Sequence, residues 1–244
     1  MKNTLYSVVA MLCLCCTLAA GQEIKRELRP FNKIIASPKV NLILEKGDQE
    51  SIRLVYDDIS EDKINIVVKG NTLRIYLDDA RVVEKTERRE HGRRSIYESA
   101  SITAYVTYVD LKHLEIRGHQ ELTCNDALKA KKFTLKAYGE NEIRLASIKT
   151  EYLKTSLYGE NNLKIKGGKA SYQKYKLYGE NKIDSRELKS YATTANIYGD
   201  SKIKLNSQDE LKVNSFGDSE VRYDGNAQIN RGLVFGRANI SRMN

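Results

Sequence analysis

Tyr138-Gly139-Glu140-Asn141 recurs as Tyr158-Gly159-Glu160-Asn161 and Tyr178-Gly179-Glu180-Asn181. It then changes to Tyr198-Gly199-Asp200-Ser201, Phe216-Gly217-Asp218-Ser219 and Phe235-Gly236-Arg237-Ala238, and a degenerate first copy stands at Arg117-Gly118-His119. The glycines fall at 118, 139, 159, 179, 199, 217 and 236, at intervals of 21, 20, 20, 20, 18 and 19 residues. Self-similarity at such a period marks a repeat architecture. Two residues before the glycines lie Ile116, Ala137, Leu157, Leu177, Ile197, Ser215 and Val234; four after them lie Leu122, Ile143, Leu163, Ile183, Ile203, Val221 and Ile240. Around these positions apolar and polar residues alternate, as in Glu142-Ile143-Arg144-Leu145, which is strand periodicity. The unit reads as strand, turn at glycine, strand, second bend.

A short strand pair cannot bury its apolar face alone, but coils of equal length can stack and share a core. Stacked strands lie ~4.8 Å apart, so each repeated position becomes a ladder. A propeller blade needs ~40 residues and is excluded by the period. The expected fold is all-β: a right-handed β-solenoid or β-helix-like stack of about 20-residue coils, preceded by a β-rich N-terminal half.

The register predicts three outward columns beside the glycines. Tyr138, Tyr158, Tyr178, Tyr198, Phe216 and Phe235 form an aromatic column. Glu140, Glu160, Glu180, Asp200 and Asp218 form an acidic one, and Asn141, Asn161 and Asn181 a third. The aromatic column reads either as a ladder that stiffens the turn edge or as a platform for sugar rings or a partner protein. A row of like carboxylates is unfavourable alone, so neighbouring lysines or a bound cation should relieve it. Solvated turn residues are preferred to calcium ligands, because the nine-residue period of calcium-binding β-repeats is absent.

The N-terminal half breaks into strand-like runs at Lys33 to Ile35, Val40 to Glu45, Ser51 to Tyr56, Lys63 to Val68 and Leu73 to Leu77, with a longer stretch from Ser95 to Ile116. Between them, Arg81 to Arg94 mixes basic and acidic residues around Gly92, as in an exposed hairpin tip. Arg88, Arg89, Arg93 and Arg94 make it a candidate contact for an anionic glycan or lipid headgroup, with a solvated loop as the plainer reading.

The first residues are a different material. Lys2 precedes an almost unbroken apolar run, Tyr6 to Ala20, which closes on Ala19-Ala20-Gly21 before a polar stretch. This is the pattern of a secretory signal peptide with cleavage after Gly21. The expected division is 1–21 signal peptide, 22–117 N-terminal β-rich half and 118–244 C-terminal repeat half. Cys13, Cys15 and Cys16 leave with the leader unless one carries a lipid anchor, for which the usual small preceding residue is missing. Cys124 remains, too few for a disulfide framework, and it reads as a buried thiol.

Among 244 residues there are 15 tyrosines, 4 phenylalanines and no tryptophan, and the formal charge is +9. A mean hydropathy of −0.54 excludes an integral helical membrane protein. An exported basic chain points away from nucleic acid and toward surfaces, peripheral to a membrane at most. His91, His113 and His119 are too scattered for a metal site, and no nucleophile elbow, zinc-protease or phosphate-loop motif is present. No catalytic, cofactor-binding or metal residue is assigned, and no cofactor is expected.

Phe31-Asn32-Lys33-Ile34, Val40-Asn41-Leu42-Ile43-Leu44-Glu45-Lys46-Gly47-Asp48, Lys69-Gly70-Asn71-Thr72-Leu73-Arg74-Ile75 and Leu111-Lys112-His113-Leu114-Glu115-Ile116-Arg117-Gly118 follow one another in order. With the glycine turns after them, the chain resembles the head GIN domain family, named for auto-transporter adhesins and common in exported proteins of Bacteroidota. The resemblance implies a β-helix-like protein of the periplasm, outer membrane or cell surface, without established catalytic residues. This chain departs from the family in having Tyr or Phe beside the repeat glycine, and no autotransporter barrel is expected in it. Three functions follow as expectations. The first is a non-enzymatic surface or periplasmic binding protein for a glycan or an envelope protein, using Tyr138, Tyr158, Tyr178, Tyr198 and Phe216 or the arginine loop. The second is a β-helix carbohydrate-active enzyme. The third is a structural or assembly component of the envelope, which could form a homo-oligomer through an uncovered end.

Overall fold

The computed structural model describes residues 22–89 and 92–243. The expected signal peptide with Cys13, Cys15 and Cys16, and His91, lie outside the described residues. The N-terminal strands are β1 (Gln22–Glu27), β2 (Lys33–Ala36), β3 (Val40–Lys46), β4 (Ser51–Asp57), β5 (Ile64–Lys69), β6 (Thr72–Leu77), β7 (Thr86–Arg89), β8 (Gly92–Ser95) and β9 (Ser101–Tyr108). The repeat strands are β10 (His113–Ile165), β11 (Gly168–Tyr178), β12 (Asn181–Ser185), β13 (Lys189–Tyr198), β14 (Ser201–Asn206), β15 (Glu210–Phe216), β16 (Ser219–Asp224), β17 (Gln228–Phe235) and β18 (Ala238–Arg242).

The repeat winds as a β-solenoid. One face runs β10-β11-β13-β15-β17 and the other β10-β12-β14-β16-β18, every pair parallel. Tyr158 lies opposite Tyr178, Tyr178 opposite Tyr198, Tyr198 opposite Phe216 and Phe216 opposite Phe235, so the period in sequence is the register in space. The seven glycines stack in one column. At Gly179 φ is 95°, and a Cβ there would lie 2.6 Å from the carbonyl oxygen of Gly159. The corner needs both a left-handed residue and backbone-to-backbone approach, and glycine alone supplies the two together. Leu157, Leu177, Ile197, Leu163, Ile183 and Ile203 fill the interior and are almost fully buried.

The N-terminal half is the same solenoid continued, a relation that the glycine spacing does not reveal. Ile34 and Ala36 pair with Leu114 and Ile116 in parallel, and Leu42 pairs with Leu122. Pro38-Lys39 therefore forms the corner beneath Gly118, with Lys39 at φ 72°, and the coil partners stand eighty residues apart in sequence. β6 and β9 lie parallel on β2 and β3 as a further coil, interrupted at its corner by 78–100. Sixteen strands thus share one sheet, while β7 and β8 form a separate antiparallel hairpin inside that interruption. Beyond this coil, β5 pairs antiparallel with β6, β4 with β9 and β1 with β4, which closes the N-terminal end.

Two expectations are corrected. The long stretch from Ser95 to Ile116 is not one strand: β9 ends at Tyr108 and β10 begins at His113, because the chain must turn from one face to the other. The asparagine column does not face outward. Asn141, Asn161 and Asn181 are buried, where unmet amide groups would be costly, and they bond to one another instead.

Candidate functional site: the ladder columns

The aromatic column follows directly from the corner. Tyr138, Tyr158, Tyr178 and Tyr198 stack with centroids 4.8 Å apart and planes within 5°. Phe216 and Phe235 continue the stack at 5.2 and 5.1 Å, and the Arg117 guanidinium lies 5.3 Å from the Tyr138 centroid at the other end. Stacked pairs of this kind contribute ≈ 0.5–1.5 kcal/mol each beyond area burial. The geometry also limits what the column can bind. Each interior ring has both faces taken by its neighbours, so only ring edges and hydroxyls meet solvent. A sugar stacked on an aromatic needs a free face.

Next to it, Asn141 Nδ2 donates to Asn161 Oδ1 at 2.8 Å and Asn161 Nδ2 to Asn181 Oδ1 at 3.0 Å. Gln120 N donates to Asn141 Oδ1 at one end, and Asn181 N to Ser201 Oγ at the other. The acidic column borders a groove of ≈ 860 Å³ that runs along the coils. Its ends carry nitrogen partners: His119 Nδ1 lies 3.1 Å from Glu140, and the Arg237 guanidinium bonds Asp218 through Nε and Nη2. Arg237 holds the Asp218 carboxyl below the usual carboxylate range. Asp200 Oδ1 accepts from Asp218 N at 3.1 Å, which gives this part of the column a structural use. Glu160, Glu180 and Asp200 are exposed and have no ion pair within 4.0 Å among the described residues, so water solvates them. Among the described residues no group of three or more His, Cys, Asp or Glu side chains is placed to hold a metal ion.

The arginine segment stands apart from most of the aromatic column. Arg88 is exposed on β7, and Arg94 on β8 lies 3.7 Å from Glu98. The side chains of Arg89 and Arg93 lie outside the described residues. Only the base of the interruption reaches the ladder. Val82, Val83 and Glu84 face Pro38, Gln120 and Tyr138 across a cavity of ≈ 390 Å³.

Several polar groups escaped the sequence reading. Glu115 is almost buried between His113 Nε2 at 3.4 Å and the Arg117 guanidinium, with Nε at 3.0 Å. These bonds pull its carboxyl down to about 2, the His113 contact contributing most. Tyr175 is fully buried, with its hydroxyl 2.6 Å from Gln173 Oε1 and 2.9 Å from Ser185 Oγ. Burial raises its hydroxyl well above the ordinary tyrosine value. Cys124 is buried as expected, 3.7 Å from the Tyr108 hydroxyl, and burial raises its thiol. A second aromatic row, Tyr152-Tyr172-Tyr191, lies on the same face as the first and near the opposite edge. It lies among lysine rows whose spacing is also twenty residues, a periodicity that stands outside the glycine motif.

The parallel stack, its glycine corner and the antiparallel N-terminal closure can be set beside known proteins. Residues 30–227 match the family described as "Putative auto-transporter adhesin, head GIN domain". The chain belongs to this family. Crystal structures of similar fold include a "putative adhesin" from Bacteroides fragilis NCTC 9343, with 19% identity, TM-score 0.71, and coverage of 91% of this chain and 97% of that one. A "putative adhesin" from Parabacteroides merdae ATCC 43184 shares 16% identity at TM-score 0.63, covering 93% of this chain and 98% of the other. A "Putative lipid binding protein" from Parabacteroides distasonis ATCC 8503 shares 13% identity at TM-score 0.61, covering 93% and 98%. At these identities the likeness is one of fold. No curated protein matches the sequence.

Proposed function

We propose that this GIN-domain protein is exported and acts as a non-enzymatic binding protein of the periplasm or cell surface, holding an extended partner on its outward columns. The observation that carries the reading is the repetition of outward side chains in register along flat faces, so that a partner with its own repeat meets similar contacts at successive coils. The apolar run Tyr6 to Ala20 supports export, and the adhesin name of the family supports binding as the task. The acidic groove keeps a carbohydrate-active enzyme as the competing reading, since paired carboxylates are what glycoside hydrolysis requires. Its acids are spaced by the repeat itself, which supports an architectural origin.

A glycan array and a reducing-sugar assay on residues 22–244 test the proposal together. The expected outcome is retention of one class of glycan with no release of reducing ends. Time-dependent release from a retained polysaccharide would overturn the non-enzymatic reading.

A further inference from the structure

On the face that carries the second aromatic row, like charges lie opposite like charges. Lys154 pairs in register with Lys174, and Lys149 with Lys169 and then Lys189. Lys132, Lys136 and Lys176 surround Lys154 closely enough that, with Lys174 and partial burial, they lower its ammonium below the ordinary lysine value, burial contributing most. None of Lys132, Lys136, Lys154, Lys174 and Lys176 has a carboxylate within 4.0 Å among the described residues. The opposite face is arranged differently. There Lys182 lies opposite Lys202 and Lys204 opposite Arg222, but Asp184 lies opposite Lys204, Lys202 lies opposite Glu220, and Arg144 pairs with Glu142 at 3.3 Å. Directly opposed like charges are destabilising in a sheet, and acids interrupt the basic rows of the opposite face at Asp184 and Glu220, while the Lys149-Lys169-Lys189 and Lys154-Lys174 rows run without one.

Between the two lysine rows run Tyr152 and Tyr172, stacked 5.3 Å apart, and Tyr191 turned across them at 81°. All three are about half exposed, and Tyr191 leaves the stack instead of extending it. Two residues along a strand span ~6.7 Å, so the Lys154-Lys174 row lies within one side-chain length of the tyrosine row. Four carboxylates stand in or beside these columns: Glu151 lies 4.0 Å from Lys131 and Asp209 stands beside Tyr191, and Glu115 and Glu210 complete the set. Glu115 is buried against Arg117 and Glu210 stands at the far end beside Asn230.

We infer that this lysine and tyrosine face binds a linear anionic polysaccharide laid along the solenoid axis, with carboxylate or sulfate groups on the lysine rows and sugar rings against Tyr152, Tyr172 and Tyr191. The inference rests on the binding function proposed above and names its ligand class. A linear polyanion suits rows that advance by ~4.8 Å per coil, close to the rise of a sugar unit. An anionic membrane is the weaker fit. Around Tyr152 and Tyr172 the outward positions are lysine, serine, threonine, asparagine and alanine, and the large exposed aliphatic side chains of this face, Ile229, Leu233 and Val234, lie on β17 at the end of the stack.

The test uses residues 22–244 with polygalacturonate and heparin as anionic probes, dextran as the neutral one and phosphatidylglycerol vesicles as the lipid one, titrated across salt concentration. Polygalacturonate, heparin or both should bind at low salt and weaken steeply as salt rises, while dextran should not bind. Lys154→Glu/Lys174→Glu should weaken binding by about tenfold or more, and the milder Lys154→Gln/Lys174→Gln by several-fold. Lys182→Glu/Lys202→Glu on the opposite face should change it by less than about twofold, with thermal melts confirming that each variant is folded. The inference is overturned by no polyanion binding at low salt, by equal losses from the two reversed pairs, or by capture of vesicles without either polysaccharide. A neutral glycan retained on the array with no polyanion bound would sink this inference and leave the proposed binding function standing.

Discussion

At Gly179 a methyl group would need a left-handed backbone and would press on the Gly159 carbonyl. The positive φ and the overpacking add, so Gly179→Ala should cost roughly 3 kcal/mol in urea unfolding. Gly70 has φ 54° but open space around its missing Cβ, so Gly70→Ala bears the backbone term alone and should cost about 1 kcal/mol. Glu115 makes the acid limit specific. Its carboxyl is held at about 2 in the folded chain and lies higher when unfolded, so its stabilisation is complete above the unfolded value and is lost as pH falls toward 2. Glu115→Gln should flatten the loss of melting temperature between roughly pH 5 and pH 2 relative to the parent chain. A variant as acid-sensitive as the parent would show that other carboxylates carry that dependence.

At the scale of the element, the aromatic ladder stabilises neighbouring coils. Tyr158 stacks on both sides, whereas Phe235 stacks on one. Tyr158→Ala should therefore destabilise by about 2 kcal/mol and Phe235→Ala by about half that, both read from denaturant midpoints. The same substitution at Tyr158 should leave glycan retention unchanged, because its ring faces are already occupied. A loss of retention in a fully folded Tyr158→Ala protein would return the ligand to this column. The glycine, tyrosine and asparagine columns were legible in sequence because one short motif repeats them at nearly constant spacing. Their direction was not, since an outward asparagine and a buried one have the same period. Pro38-Lys39 stayed hidden because the corner has no glycine and its spatial partner is eighty residues away. The tyrosine and lysine rows were visible only as composition, because reading a whole face requires the register of every coil at once.

At the scale of the whole molecule, the two ends of the solenoid differ among the described residues. Antiparallel strands cover the N-terminal coil, while β17 is exposed along its length and Leu233 and Phe235 are more than 60% accessible. Stability in such a stack is a sum of nearest-neighbour interfaces, so amide exchange should be fastest in Gln228–Phe235 and slowest in coils with neighbours on both sides. Uniform protection along the axis would contradict that picture. The two broad faces differ in how charge is arranged, and this difference carries the functional account: an extended partner read coil by coil along a face, not a small molecule held in a pocket. The most direct measurement is the affinity of galacturonate oligomers against chain length at low salt, by titration calorimetry on residues 22–244. The account expects no detectable binding of the monomer, affinity that climbs with each added sugar, and a plateau once the oligomer spans the lysine rows. A monomer bound as tightly as the polymer, or binding by no oligomer of any length, would contradict it.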